Sequence, residues 1–447
     1  MRNPKVVLSN LASNAKKDSY TFKRLYRNLY NIEFYLEAYH NMFMNRQNQH
    51  HKIDDNSLLI IKQLILKIKN QTYQPTPVKN TNTSKEKQLP HVLEDLLVQE
   101  VLKRILESIY EPQFLNQSHC FRPNRSCHTA LQEVSQSFTD TTWLIKGNIK
   151  GVYNSIDHHF LIQLLRKCIK DEKIINLVWK FLKAGYLKEW LFYKTYSGTP
   201  LGGRISALLS NVYLHEFDKF IVQYDLHYIR YAGQFIISLK GGRRDAERKL
   251  LNVNAFLAKN LKLELDDKET SLTHWKKDVR FLEYIIRVKK NKPAKRLTTE
   301  HMKNRVNQRI ELRMPKDKYK TRLIELDALR INTKNGWIPV HRTYLVHRDD
   351  LIILKTYNSE IDGMYHYYCL ACNVQLLRSF RETMKSSMYK TFANKYKCTV
   401  NKVITRFKIN DNFAVLYSTK KGDRVCYFTK IELVRMVAIK HCLVDII

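Results

Sequence analysis

Apolar positions recur at helical spacing through most of the chain. Leu8, Leu11 and Ala12, then Phe22, Leu25, Tyr26 and Leu29, predict two amphipathic helices within residues 1–45. A helix over Leu58–Ile68 stops at Tyr73-Gln74-Pro75-Thr76-Pro77. Pro90 opens a longer one, Val92–Ile109, with Leu93, Leu96, Leu97, Val101, Leu102 and Ile105 turned inward. Further helices are expected over His128–Phe138, His158–Ile169, Ile174–Gly185, Ile205–Phe220 and Asp245–Leu261, and strands over Trp143–Tyr153 and Val279–Ile285. The run Ile229–Leu239 reads as two apolar strands pinched at a tight turn. Tyr231 and Ala232 end the first, Gly233 and Gln234 form the tip, and Phe235, Ile236, Ile237 and Leu239 form the second.

The pattern changes at Lys289–Arg313, where nine Lys/Arg against two Glu suggest a linker. Beyond it, helices are expected over Leu345–Tyr368, Leu376–Tyr396 and Ile431–Cys442, with a small hairpin around Lys421-Gly422-Asp423. Strands alternating with packed helices argue an α+β chain.

Charge adds the strongest global signal. Lys+Arg number 77 against 42 Asp+Glu, a net charge of +35. Such an excess repels itself unless a polyanion is near, and nucleic acid is the natural one. No run of 18 apolar residues appears, so no membrane helix is expected. The start has no apolar signal core, which suggests that the protein stays where it is made. Eight scattered cysteines read as reduced thiols, and Cys369-Leu370-Ala371-Cys372 lacks the second pair that a zinc site needs. Abundant Asn, Lys and Ile with only 12 Gly suggest an AT-rich genome, organellar or bacterial.

Several segments, in order, resemble the group II intron reverse transcriptase/maturase family. They are Phe22–Tyr30 (N-terminal extension), Phe121-Arg122-Pro123-Asn124-Arg125-Ser126-Cys127-His128 (fingers), and Lys194–Pro200 with Gly202-Gly203 (template grip). Arg280-Phe281-Leu282 resembles the strand closing the palm. Gly363–Tyr368 with Asn373 resembles the maturase signature. The resemblance implies right-hand fingers and palm followed by a helical thumb and maturase (X) domain. The expected divisions are 1–90 (N-terminal extension and fingers), 91–288 (fingers and palm), 289–410 (thumb and maturase) and 411–447 (tail).

The departures from the family fall on its chemistry. Polymerisation uses carboxylates around two Mg²⁺ ions. The family's first aspartate stands in Gly-Asp-Ile-Lys-Gly, which is Gly147-Asn148-Ile149-Lys150-Gly151 in this chain, and its paired aspartates after Tyr-Ala are Gly233 and Gln234. Leu201 replaces a glutamine, and the triphosphate grip is reduced to Lys87-Gln88-Leu89-Pro90. Hard cations want anionic oxygen, so Asn148, Gly233 and Gln234 imply no catalytic residue, no metal and no cofactor. Asp157 and Asp218 are the acids that could rebuild a site.

The other family task, gripping intron RNA so that it folds and splices, needs cations and a rigid shape. The candidate RNA-binding residues are Lys16, Lys17, Lys23, Arg24 and Arg27 in the N-terminal arm, Arg122 and Arg125 in the fingers motif, and Lys295, Arg296, Arg305 and Arg309 in the linker. In the maturase region they are Tyr367, Tyr368, Arg378, Arg381, Lys385, Lys390, Lys395 and Lys397, interleaved with Tyr389 and Tyr396. The expected partner is intron RNA, with no membrane and no small-molecule substrate, and a homodimer is allowed. The alternatives are an RNA-directed DNA polymerase with an altered site and a non-specific nucleic-acid-binding relic. An organelle interior is expected, plastid stroma ahead of mitochondrial matrix, with bacterial cytoplasm as the alternative.

Overall fold

The computed structural model describes residues 2–43, 53–79, 90–138, 140–184, 186–188, 191–193, 203–224, 226–290, 308–332, 336–419 and 422–436. The chain divides into two compact units, Met1–Pro123 with Thr142–Leu272, and Asn124–Thr141 with Thr273–Ile447.

The first unit is built on the helix Pro90–Tyr110, whose Leu97, Val101, Leu102, Ile105 and Ile109 are fully buried. Apolar residues every third or fourth position give that helix one inward stripe, and the neighbouring helices close over it. Its sheet runs in the spatial order His227–Tyr231, Gln234–Leu239, Trp143–Asn148, Ser271–His274. Gly147 lies opposite Phe235 in the register, and a Cβ there would sit 2.1 Å from the Phe235 ring. Glycine is therefore what lets that ring lie across the strand.

The N-terminal arm departs from expectation. Pro4–Ala15 is a helix, capped by Asn3. The second predicted helix does not form where its apolar spacing begins: Phe22 pairs with Ile169 as a β-bridge, Arg24 adopts φ +57°, and a short 3₁₀ turn, Tyr26–Tyr30, leads into the helix Ile32–Phe43. A left-handed residue cannot continue a helix, so the apolar spacing there serves irregular packing instead. The predicted strand through Tyr153 ends at Asn148, and a helical turn, Val152–Ser155, replaces the rest.

The second unit takes the helix Cys127–Ser137 from the middle of the chain, started by a capping box between Ser126 and Thr129. His128 in it is fully buried and its Nε2 lies 2.9 Å from the Tyr367 carbonyl. The predicted strand Val279–Ile285 is two strands, Val279–Phe281 and Tyr284–Lys290, joined at Leu282 and Glu283 with φ +46° and +56°. Tyr284–Lys290 pairs in turn with Gln308–Arg313, so the ends of the expected linker are sheet. The helices Asp350–Tyr368 and Leu377–Lys395 pack together, and a C-terminal hairpin, Asn412–Thr419 with Gly422–Tyr427, closes this unit. Residues 431–436 carry no helix, and the remainder of the expected Ile431–Cys442 helix lies outside the described residues.

Candidate functional site

The palm hairpin turns on Ala232 and Gly233 rather than on Gly233 and Gln234. Ala232 takes φ +53°, and Gln234 already pairs with Tyr231 on one side and Asn148 on the other. The fold therefore brings Asn148, Gly233 and Gln234 together at one end of the sheet. A Cβ at Gly233 would stand 3.6 Å from Asn148 Oδ1, but only 2.7 Å from Val152 Cγ2 and 3.1 Å from the Ile149 carbonyl. The Ile149 amide donates to the Gly233 carbonyl at 2.9 Å, which pins the tip to the neighbouring strand. Any side chain at Gly233 thus meets a β-branched residue with little freedom to move.

The donors at this end are two amides. Asn148 Nδ2 donates to Glu269 Oε2 at 3.0 Å, and Lys146 Nζ lies 3.9 Å from the same carboxylate oxygen. That carboxylate is committed to neighbours of its own. Among the described residues, no group of three His, Cys, Asp or Glu is placed to hold a metal. The donor set does not fit a pair of Mg²⁺ ions, which need several anionic oxygens at short distance.

Both acids that could have rebuilt a site have structural work. Asp157 caps the helix His158–Cys168 through the Phe160 amide at 2.8 Å and accepts from Lys262 Nζ at 2.5 Å. Partial burial pushes its pKa up, but those two donors outweigh that and hold it below the usual carboxylate range. Asp218 is fully buried against Arg230, with Nε–Oδ1 and Nη2–Oδ2 both 2.7 Å and the Tyr228 hydroxyl at 2.9 Å. Arg230 also donates to Ser118 Oγ, Asn211 Oδ1 and the carbonyl of left-handed Ala232. Burial opposes its charge, yet the Asp218 carboxylate prevails and keeps its pKa above the ordinary arginine value. This pair fastens the hairpin tip from below. Arg230, a lone cation inside an apolar strand run, is the sequence signal that could have revealed it.

The candidate cations separate into exposed and committed groups. Lys23, Arg24 and Arg27, with Arg2, line a cleft of about 670 Å³ that no acid lines and that Tyr20 and four asparagines share. None of the four forms an ion pair among the described residues. Lys16 and Lys17 are exposed at the end of the neighbouring helix. Exposed Lys397 and half-buried Lys390, whose Nζ donates to the Pro339 carbonyl at 2.7 Å, line a second acid-free concavity with His341 and Lys402, about 590 Å³ in volume. Arg309 and Arg378 are exposed and Arg125 is half-buried. Lys395 is tied to Asp350 and to the Arg348 carbonyl, and Arg381 donates to the Ile431 carbonyl. Lys295, Arg296 and Arg305 lie outside the described residues, as do the template-grip loop 194–202 and residues 80–89.

Three candidates are engaged within the protein. The Arg122 side chain is 3% exposed, bound to Glu111 and to the carbonyls of Leu115 and Ser118. It has no hydrogen-bonding face left for a phosphate. Tyr368 is buried, and Tyr367 donates to the Leu282 carbonyl at 3.1 Å while Tyr368 donates to that of Glu283 at 3.4 Å. These hydroxyls hold the strained turn at 282–283.

Comparison with known proteins accords with this geometry. Residues 85–286 match the reverse transcriptase (RNA-dependent DNA polymerase) family, and residues 307–438 the type II intron maturase family. The chain is 35% identical to the group II intron-encoded protein LtrA of Lactococcus lactis, covering 96% of this chain and 84% of that protein. It is 39% identical to an uncharacterized 91 kDa protein in the cob intron of Schizosaccharomyces pombe, over 44% of this chain and 26% of that one. It is 25% identical to a nuclear intron maturase of Arabidopsis thaliana mitochondria, over 44% of this chain and 40% of that protein. In the described residues no helix is long and apolar enough to cross a membrane. With a polymerase palm and a maturase unit in one chain, and a relative matched along nearly its whole length, this protein belongs to the group II intron-encoded reverse transcriptase/maturase family.

Proposed function

We propose that this chain is a maturase that binds group II, or group II-like, intron RNA and favours its folded form without copying RNA into DNA. The observation that carries this reading is an intact palm sheet whose tip offers amides and a glycine, packed under Val152, where polymerisation needs carboxylates. Holding RNA needs none of these ligands. It needs cations to neutralise crowded phosphates, and the acid-free cleft of Arg2, Lys23, Arg24 and Arg27 supplies them on a chain of net charge +35. Such a protein stabilises folded RNA by binding it more tightly than the unfolded form. The names of relatives, intron-encoded proteins and an intron maturase, support the same task. Their bacterial and mitochondrial sources support an organelle or bacterial interior, while the lean towards an organelle rests on family behaviour, a maturase freed from mobility suiting a genome that keeps its introns in place.

The test is primer extension on poly(rA)/oligo(dT) with Mg²⁺ or Mn²⁺, run beside a splicing assay of the intron that surrounds or neighbours the gene. No cDNA together with faster splicing at low Mg²⁺ is expected. The second reading, a polymerase with an altered site, is favoured by the reverse transcriptase match over residues 85–286, and cDNA synthesis would establish it.

A further inference from the structure

The second unit contains a recess of about 280 Å³ beside the helix Leu377–Lys395, between it and the segments 408–413 and 428–430. Aromatic rings from Tyr389, Phe413 and Phe428 line it, with Tyr389 and Phe413 packed at 5.4 Å between centroids. The Lys385 ammonium stands 5.9 Å from the Tyr389 ring and 6.0 Å from that of Phe428. Those distances are at the outer limit of a cation–π contact. Lys385 has no carboxylate partner among the described residues, and neither has the exposed Lys430 at the edge. Tyr389 is half-buried, and its hydroxyl has no hydrogen-bond partner among the described residues. The two acids of the lining are already engaged, Asp411 with Lys408 at 2.8 Å and Glu382 with Arg381 at 3.6 Å.

What remains open in this recess is the half-buried ring of Tyr389, its phenol hydroxyl and two ammonium groups without carboxylate partners. An apolar side chain would leave both cations without partners. A base held in a duplex cannot enter a space near the lower end, about 300 Å³, of small-ligand pockets. An unpaired nucleotide satisfies all three features: its base has a π-face, its edge takes the hydroxyl, and its phosphate takes the ammonium groups. We propose that this recess receives one unpaired nucleotide of a bound RNA, with the base against Tyr389 and the phosphate drawn to Lys385 and Lys430. This rests on the RNA-binding reading given under Proposed function and adds to it a requirement for single-stranded character.

The test uses the full chain and a short oligoribonucleotide carrying one 2-aminopurine, free or annealed to its complement, at salt that suppresses weak contacts. The wild-type protein is expected to quench the single strand's fluorescence. Tyr389→Ala is expected to abolish the quench and weaken that strand about ten-fold, with duplex binding unchanged. Tyr389→Phe keeps the ring and should keep the quench. Because Tyr389 packs on Phe413, Lys385→Gln provides a variant that leaves the packing alone, and it should weaken the single strand about five-fold. Equal binding and equal quench by wild type, Tyr389→Ala and Lys385→Gln would overturn the recess and leave the RNA-binding reading standing. Failure of the wild type to bind either probe or the intron would overturn both.

Discussion

Arg230 and Asp218 form a fully buried ion pair beneath the hairpin tip, with every strong donor of the guanidinium matched. Removing one partner strands the other charge in the core. Arg230→Met should therefore cost about 3–5 kcal/mol, and the double change Arg230→Met/Asp218→Leu should cost less than the single one. Urea midpoints of the three proteins decide this. His215 offers a second check. Burial, with Lys219 adding to it, lowers its pKa from 6.5 to about 4. Below pH 6.5 the unfolded chain takes up a proton that the folded chain refuses, so stability falls as pH drops from 6.5 towards 4. His215→Phe should remove about 2 kcal/mol of the loss seen between pH 7 and pH 5, read from urea midpoints at each pH. At this scale the sequence motifs brought Asn148, Gly233 and Gln234 into one place, as the sheet register does, though the turn itself falls one residue earlier, on Ala232 and Gly233. The sequence was silent on Val152 and Glu269, which reach the tip through sheet register and a chain separation of 121 residues in the case of Glu269.

The palm hairpin shows what an element adds to its residues. Its tip carries no charge at Asn148, Gly233 or Gln234, and it is also closed by packing, since Val152 Cγ2 and the Ile149 carbonyl occupy the approach to Gly233. Restoring Asn148→Asp, Gly233→Asp and Gln234→Asp together should still give no metal-dependent primer extension. A carboxylate at 148 would also face Glu269 across about the present 3.0 Å contact, and like charges that close cannot both ionise freely. Adding Val152→Ala to the triple variant is expected to raise Mn²⁺ affinity above that of the triple alone, by Mn²⁺ titration followed by electron paramagnetic resonance. Helices with one apolar stripe were legible because their period is local, and Pro90–Tyr110 and Leu377–Lys395 fall within two residues of expectation. The turn at Leu282–Glu283 was not, because hydroxyls from Tyr367 and Tyr368, 85 residues away, hold two left-handed residues that local propensity disfavours.

On the scale of the whole molecule, the α+β class and the order of polymerase-like and maturase segments could be read from the sequence, but not the interleaving of the two units. The fingers motif is divided: Phe121, Arg122 and Pro123 belong to the first unit, and the helix that follows belongs to the second. That helix contributes fully buried His128, Ala130, Leu131 and Val134. A fragment of residues 273–447 lacks these side chains and should be insoluble or molten, whereas co-expression with the rest of the chain should restore soluble protein; recovery in the supernatant measures both. The same interleaving fixes a schedule for synthesis. His128 emerges from the ribosome 239 residues before its partner Tyr367. At about 5–20 residues per second, that helix waits on the order of tens of seconds with a greasy side uncovered. Throughout that interval the nascent chain is a natural client for chaperones, and slowing translation between the two segments should lengthen the exposure and lower the yield.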